Sequence, residues 1–359
     1  MSTWGNILRI SIFGESHGVG IGVVIDGLPA GRRIDFDAVS VQMSRRAPGQ
    51  NSAVTPRKEP DIPKVLSGLK ASVTTGAPLA CVIENTSARS VDYADIANTP
   101  RPSHADYAAR ERFGDTCDMR GGGHFSGRLT APLTFAGAVC RQILAEYGVR
   151  IGAHLYSVGG AADAPFDPVN LSPALLDALS QKHFSVIDPS AGTAIRECID
   201  TARQSGDSVG GIIETAAVNV KAGLGSPMFE GVENVLASIL FGIPGVKGVE
   251  FGAGFGICGM NGSQANDAFI LDESNNITTT TNHSGGIQGG ISNGMPIIVR
   301  AAFKPTPSIA LPQKTVDLDT HQETTIQIRG RHDPCIAVRA VPVVEAALAV
   351  GLLELYLRG

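Results

Sequence analysis

One order of segments occurs twice in this chain, and it restricts the fold more than any other feature. An apolar run over 21–25 leads into a turn at 26–31 holding Gly27, Pro29 and Gly31, then into a stretch over 37–46 with helical spacing. The order returns downstream, with 211–220 reading as a strand, 223–227 as a turn and 229–241 as a helix. Each copy then carries a Gly-x-Pro turn between two short runs, Gly76-Ala77-Pro78 in one and Gly294-Met295-Pro296 in the other. Each ends in a long apolar helix, 129–147 and 342–357, preceded by a polar segment with an Arg, a His and an Asp. The pattern reads as an internal pseudo-duplication within a single domain of 1–359, with halves near 7–150 and 205–359. A helical insert over 151–204 joins them, with Pro173 and Pro189 as helix starters. Halves that each own one apolar face bury it against each other. The expected class is α+β, a β-α-β sandwich with central helices between antiparallel sheets, and not a doubly wound sheet.

Composition removes several classes of function. A formal charge of -5 gives no basic field for nucleic acid. The six cysteines, at 81, 117, 140, 198, 258 and 335, show no CxxC pairing and sit mostly in apolar runs. Reduced buried thiols are expected rather than disulfides or metal ligands, which points to a reducing, cytoplasmic compartment. The start of the chain lacks the charged segment and apolar block of a signal peptide. The apolar stretch 341–357 carries Glu345 and Glu354 and reads as a core helix rather than a membrane span.

Several segments hold residues able to carry chemistry. His17 stands among Gly14, Gly18, Gly20 and Gly22. Its neighbour Ser16 points to the opposite face of an extended chain, which argues against a serine nucleophile with His17 as base. His104, in Arg101-Pro102-Ser103-His104-Ala105-Asp106, sits in a proline-framed loop. With an ordinary pKa of about 6.5, a histidine there suits proton donation near neutrality, and the structural alternative is a ring simply bonded to Asp106. The run 119–128 places Gly121, Gly122 and Gly123 between Arg120 and Arg128 before a helix, as in a phosphate cradle. Lys304-Pro305-Thr306-Pro307-Ser308 is rigid, basic and hydroxyl-bearing, and Arg331-His332-Asp333-Pro334 follows it. Arg45 and Arg46 end a helix, where its dipole favours cations, and the pair equally suits a polyanion. The GxGxxG match at 254–259 is set aside because 260–264 reads as loop, whereas a dinucleotide site needs a helix N-terminus.

Taken in order along nearly the whole chain, these segments resemble chorismate synthase. The motifs lie at 14–29, 101–107, 120–128, 246–250, 282–286 and 330–345, and the stretch 151–205 carries little of them. The resemblance implies a homotetrameric lyase that converts 5-enolpyruvylshikimate 3-phosphate to chorismate and phosphate by an anti-1,4-elimination. Reduced FMN is required without net redox change, and NADPH is a candidate reductant. By matching position, His17 would protonate the leaving phosphate and His104 the reduced flavin. Asp333 would assist deprotonation at flavin N5, which takes the substrate's C6 proton. The matching FMN positions are His124, Phe125, Ser126, Pro244, Gly245, Gly289, Lys304, Pro305, Thr306, Pro307, Ser308 and Arg331. Arg45, Arg46 and Arg128 are the cations expected for substrate or NADP. Ala47, Ser52, His124, Phe125, Leu129 and Pro244 depart from the family's commonest residues. No metal site, nucleic acid or membrane is expected. A flavin oxidoreductase using NADPH and a non-catalytic phosphometabolite-binding protein are the rival readings.

Overall fold

A computed structural model of the chain describes residues 2–49, 59–86, 98–328 and 333–359. Two five-stranded antiparallel sheets dominate it. The first is built from Thr3–Trp4 (β1), Arg9–Gly14 (β2), Gly20–Asp26 (β3), Lys64–Ser67 (β4) and Leu79–Glu84 (β5), in the order β1-β2-β3-β5-β4. The second uses Arg150–Val158 (β6), Ala161–Ala162 (β7), Gly211–Val218 (β8), Val246–Phe251 (β9) and Ile297–Phe303 (β10), in the order β9-β10-β8-β6-β7. The principal helices are Phe36–Arg46 (α1), Asp106–Phe113 (α2), Thr130–Glu146 (α3), Pro173–Leu179 (α4), Pro189–Gln204 (α5), Val232–Phe241 (α6) and Ala337–Arg358 (α7).

The connections of the two sheets match. In the series β2, β3, β4, β5 and again in β6, β8, β9, β10, the first strand pairs with the second, the second with the fourth and the fourth with the third. A helix joins second to third in each, α1 in one and α6 in the other, and a long helix follows the fourth, α3 or α7. The span 151–204, expected as a helical insert, therefore opens with strand β6. Its helices α4 and α5 lie between β6 and β8, where the first sheet has only the short link 15–19. Strand β6 escapes a sequence reading because most of its residues on both faces are buried, so the alternation that marks a half-exposed strand is missing.

Helix α3 rests on β2, β3 and β5, α7 rests on β6 and β8, and the two helices pack on each other. At their contact a Cβ on Gly137 would stand 2.2 Å from the Cα of Ala346, so only glycine allows the backbones this close. Helix α7 begins at Ala337, ahead of Pro342, which sits inside it and forgoes one helical hydrogen bond. The residues 260–264, expected as loop, end in a single helical turn, Gly262–Ala265.

Both glutamates of the apolar helix are buried and partnered. Glu354 accepts the backbone N–H groups of Leu8 (2.6 Å), Asn6 (3.2 Å) and Ile7 (3.3 Å) and pairs with Arg358 at 2.8 Å. Burial would raise its carboxyl, but the Leu8 amide and Arg358 outweigh that and hold it below the usual carboxylate range. Glu345 accepts two hydrogen bonds from Arg45, at 2.6 and 3.1 Å, and one from the Ala153 amide at 2.9 Å. In the second sheet His154 lies between Asp163 (2.8 Å) and Glu214 (3.1 Å), one carboxylate on each ring nitrogen. Burial opposes its charge, yet the two carboxylates prevail and raise its pKa.

Candidate active site

A cleft of about 810 Å³ opens where the loops after the first sheet meet the ends of α6 and β10. That volume suits a small-molecule or cofactor site. Its wall includes Ser16, Arg46, His104, Gly121, Arg128, Gly245, Lys304 to Ser308 and Asp333.

His17 does not itself line the cleft, though its neighbours Ser16 and Gly121 do; it sits in a turn between β2 and β3, closed by the Gly18 amide on the Glu15 carbonyl at 3.1 Å. Asn85, after β5, donates to the carbonyls of Glu15 and Gly18, both at 2.9 Å, and accepts from Arg128 Nε at 3.0 Å. The ring packs against Gly121, where an added Cβ would lie 2.0 Å from His17 Cε1 and 2.2 Å from Nδ1. On the next residue, Gly122, a Cβ would stand 3.1 Å from His104 Nε2. All three glycines of this run have positive φ, at 60°, 90° and 53°. The run therefore brings the two histidines to one loop, which a cradle for phosphate alone would not require.

Gly121→Ala is expected to lower turnover by about 100-fold, the lower end for a lost general acid, while the chain remains folded. Steady-state rates and a melting curve measure this, and a near-normal kcat would show that the His17 ring has room to move.

His104 is held in its loop from three sides. Its Nδ1 lies 2.7 Å from Asp106 Oδ1, Asp106 in turn takes Arg101 Nε and NH2, both at 2.7 Å, and Lys304 Nζ donates to the Ser103 carbonyl. Burial would raise the Asp106 carboxyl, but Arg101 and His104 hold it well below the usual range. Asp333 pairs with Arg339 at 2.7 Å, and Arg339 also donates to the Arg46 carbonyl at 3.1 Å.

The arginines divide. Arg46 turns toward the cleft and donates to Asp61 (2.6 Å), Thr130 Oγ1 (3.1 Å) and the Gly127 carbonyl (3.0 Å). Burial pulls its guanidinium down to about 10, Asp61 counters, and Arg339 and Arg128 push the same way as burial. Arg128 shares Asp61 and lies 3.5 Å from Glu59. Arg45 does not join them: it points into the core, bonded to Glu345, Gln42, Ser185 and the Lys182 carbonyl, so its place is structural. Arg120 pairs with Asp118 and lines a separate cavity.

Of the positions expected to hold a flavin, His124, Phe125, Ser126, Pro244, Gly245 and Lys304 to Ser308 all line the cleft. Gly289 lies in the hairpin of Ile287–Gln288 and Ile291–Ser292 and is not part of the cleft wall. Arg331 and Ser52 fall outside the described residues. The His124 ring is occupied, donating from Nδ1 to the Gly14 carbonyl at 2.8 Å and accepting the Ser2 hydroxyl on Nε2 at 2.6 Å. Thr306 Oγ1 is buried without a hydrogen-bond partner among the described residues. Burial, aided by Lys247, lowers the Lys304 ammonium. An unsatisfied hydroxyl beside a partly desolvated lysine fits a ligand with polar ring atoms and phosphate.

The residues that a sequence reading passes over are Asn85, Glu59, Asp61 and Arg339, which act through partners distant in the chain. Asp106 is visible as the bonding partner of His104, though not as part of the chemistry.

A family model for chorismate synthase matches residues 8–357. Chorismate synthase of Thermococcus kodakarensis is 46% identical over 354 residues, covering 99% of this chain and 97% of that one. The enzyme of Methanothermobacter thermautotrophicus is 45% identical over 354 residues, with 99% and 93% covered. A crystal structure of a chorismate synthase superposes with a TM-score of 0.76 at 27% identity, over 99% of this chain and 93% of the other. With the family model spanning nearly the whole length and relatives this similar end to end, the chain belongs to the chorismate synthase family.

Proposed function

We propose that the cleft binds reduced FMN beside 5-enolpyruvylshikimate 3-phosphate, and that His17, His104 and Asp333 move the protons of the elimination there. As a family member the chain is a carbon–oxygen lyase that forms chorismate in the shikimate pathway from that substrate, and the family implies a flavin cofactor. The placement of both histidine rings against Gly121 and Gly122 supports the finer reading most. His17 would donate to the departing phosphate oxygen. His104, whose loop is tied to Lys304, would hold a proton on the cleft side. Asp333, held by Arg339, would accept one. Arg46 and Arg128 supply fixed positive charge for carboxylate and phosphate in a setting where little water screens it. Lys304, Thr306, Gly245 and the segment 124–126 would hold the flavin, which when bound supplies an electron-rich ring that promotes phosphate loss. The C–O and C6–H bonds break and a double bond forms, with no net electron transfer.

The packing of α3 on the first sheet, of α7 on the second and of the two helices on each other supports a β-α-β sandwich and a duplicated single domain, with the second unit starting near 150. Exposed Phe269, Ile270, Leu271 and Ile277 on one hairpin, with exposed Phe255, support assembly as a homotetramer. Six unpaired cysteines support a cytoplasmic setting, and NADPH is the proposed reductant. The test is an anaerobic assay with reduced FMN and the enolpyruvyl substrate. Phosphate and chorismate are expected in equal amounts while the flavin stays reduced. Stoichiometric NADPH consumption without phosphate would establish an oxidoreductase instead, and binding without turnover a carrier.

A further inference from the structure

We propose that Asp106 is a positioning residue for His104: it takes the proton on Nδ1 as a hydrogen bond, which leaves Nε2 as the working nitrogen on the cleft side. The inference rests on the reading of His104 as a proton donor and adds how the ring is set for that role.

One ring nitrogen of His104 faces two competing partners. His104 Nδ1 lies 2.7 Å from Asp106 Oδ1 and 3.1 Å from Arg101 NH2. A guanidinium only donates and an ionised carboxylate only accepts, so Nδ1 can serve one of them at a time. Arg101 NH2 already has an acceptor at 2.7 Å in that same Oδ1. Asp106 is ionised, because the charge-assisted bonds from Arg101 and His104 exceed the penalty of its burial. The proton therefore belongs on Nδ1, donated to Asp106. Nε2 is then the atom directed at Gly122, where an added Cβ would stand only 3.1 Å away. A neutral ring presents a lone pair there, and a charged ring presents an N–H ready to leave.

Arg101 secures the carboxylate. Asp106 Oδ2 accepts the Arg101 amide at 2.9 Å and Nε at 2.7 Å, so side chain and backbone of one residue grip the same carboxylate. The other arm of Arg101 reaches Ser308 Oγ at 3.4 Å, joining the His104 loop to the segment that ends β10. The same guanidinium holds Oδ1 in place, so the carboxylate stays aimed at Nδ1 and orients the ring.

Removing the carboxylate frees Arg101 NH2 to donate to Nδ1, which moves the neutral ring's proton to Nε2. The experiment is long-range proton–nitrogen NMR on the enzyme with ring-labelled histidine, combined with turnover. The native enzyme is expected to show neutral His104 as the Nδ1–H tautomer, and Asp106→Asn the Nε2–H tautomer. kcat of Asp106→Asn is expected to fall by about 100-fold or more with KM nearly unchanged, since a mis-set tautomer acts on the chemical step. Asp106→Glu keeps a carboxylate and should retain the native tautomer with a rate above that of Asp106→Asn. An Nε2–H tautomer in the native enzyme, or equal losses in the Asn and Glu variants, would overturn the proposal. His104→Ala separates the two layers: an ordinary rate in that variant removes the donor role itself, while the tautomer spectrum still decides the geometry.

Discussion

His17→Ala and His104→Ala each lower the elimination rate by about 100- to 10,000-fold, the usual contribution of general acid catalysis. In transition-state terms this is about 3 to 5 kcal/mol per ring. The expectation is specific because other groups also hold both loops together. The turn at His17 is closed by the Glu15 carbonyl and bolted by Asn85, and the Ser16 amide bonds the Gly123 carbonyl at 3.1 Å. The His104 loop is strapped by Arg101, Asp106 and Lys304. Truncation of either ring should leave a folded chain that still binds substrate. Anaerobic phosphate release with reduced FMN, read beside a melting curve, measures both. Rates within tenfold of the native value in both variants would reduce the rings to positioning groups. The double variant adds a further check. Two acids acting on one rate-limiting step should lose less together than the sum of their separate losses, as groups acting as a unit do.

How much of this is legible in the sequence depends on how local the signal is. Helices α1, α3 and α6 show through because apolar residues recur at helical spacing and turn residues bound them. Strand β6 does not, since burial on both faces erases alternation. The histidines stand out by their glycine and proline frames, and Asp106 lies two residues from His104, near enough to suggest a bond. Arg45 and Arg46 are the instructive pair. Successive residues on a helix point about 100° apart, so one faces Glu345 in the core and the other the cleft, and composition alone cannot assign them. Asp61 is invisible for a different reason: its partners Arg46 and Arg128 meet it only through tertiary folding, and a proline precedes it in the chain.

Glu345→Ala is the change expected to cost the most stability, about 3 to 5 kcal/mol, because it strips the partner from a buried cation. Side chains of Arg45 and Glu345 are 1% and 3% exposed, so water cannot replace the lost carboxylate without opening the contact between α1 and α7. The Ala153 amide in the second sheet loses its acceptor at the same time, and Arg141, 3.4 Å from Glu345, loses a counter-charge. Desolvation is already the main influence on Arg141 and lowers its pKa, with Glu345 the first to oppose it. Chemical denaturation of Glu345→Ala, Arg45→Met and the double variant resolves the cause. If the unpaired Arg45 charge is what destabilises, the double variant recovers part of the loss, because neither member of that pair is then charged. If all three lose equally, packing between the helices is responsible and the ion pair adds little. The outcome bears on the cleft, since Arg46 follows Arg45 in the last turn of α1. Any slackening of the Arg45 anchor moves a cation that lines the cleft.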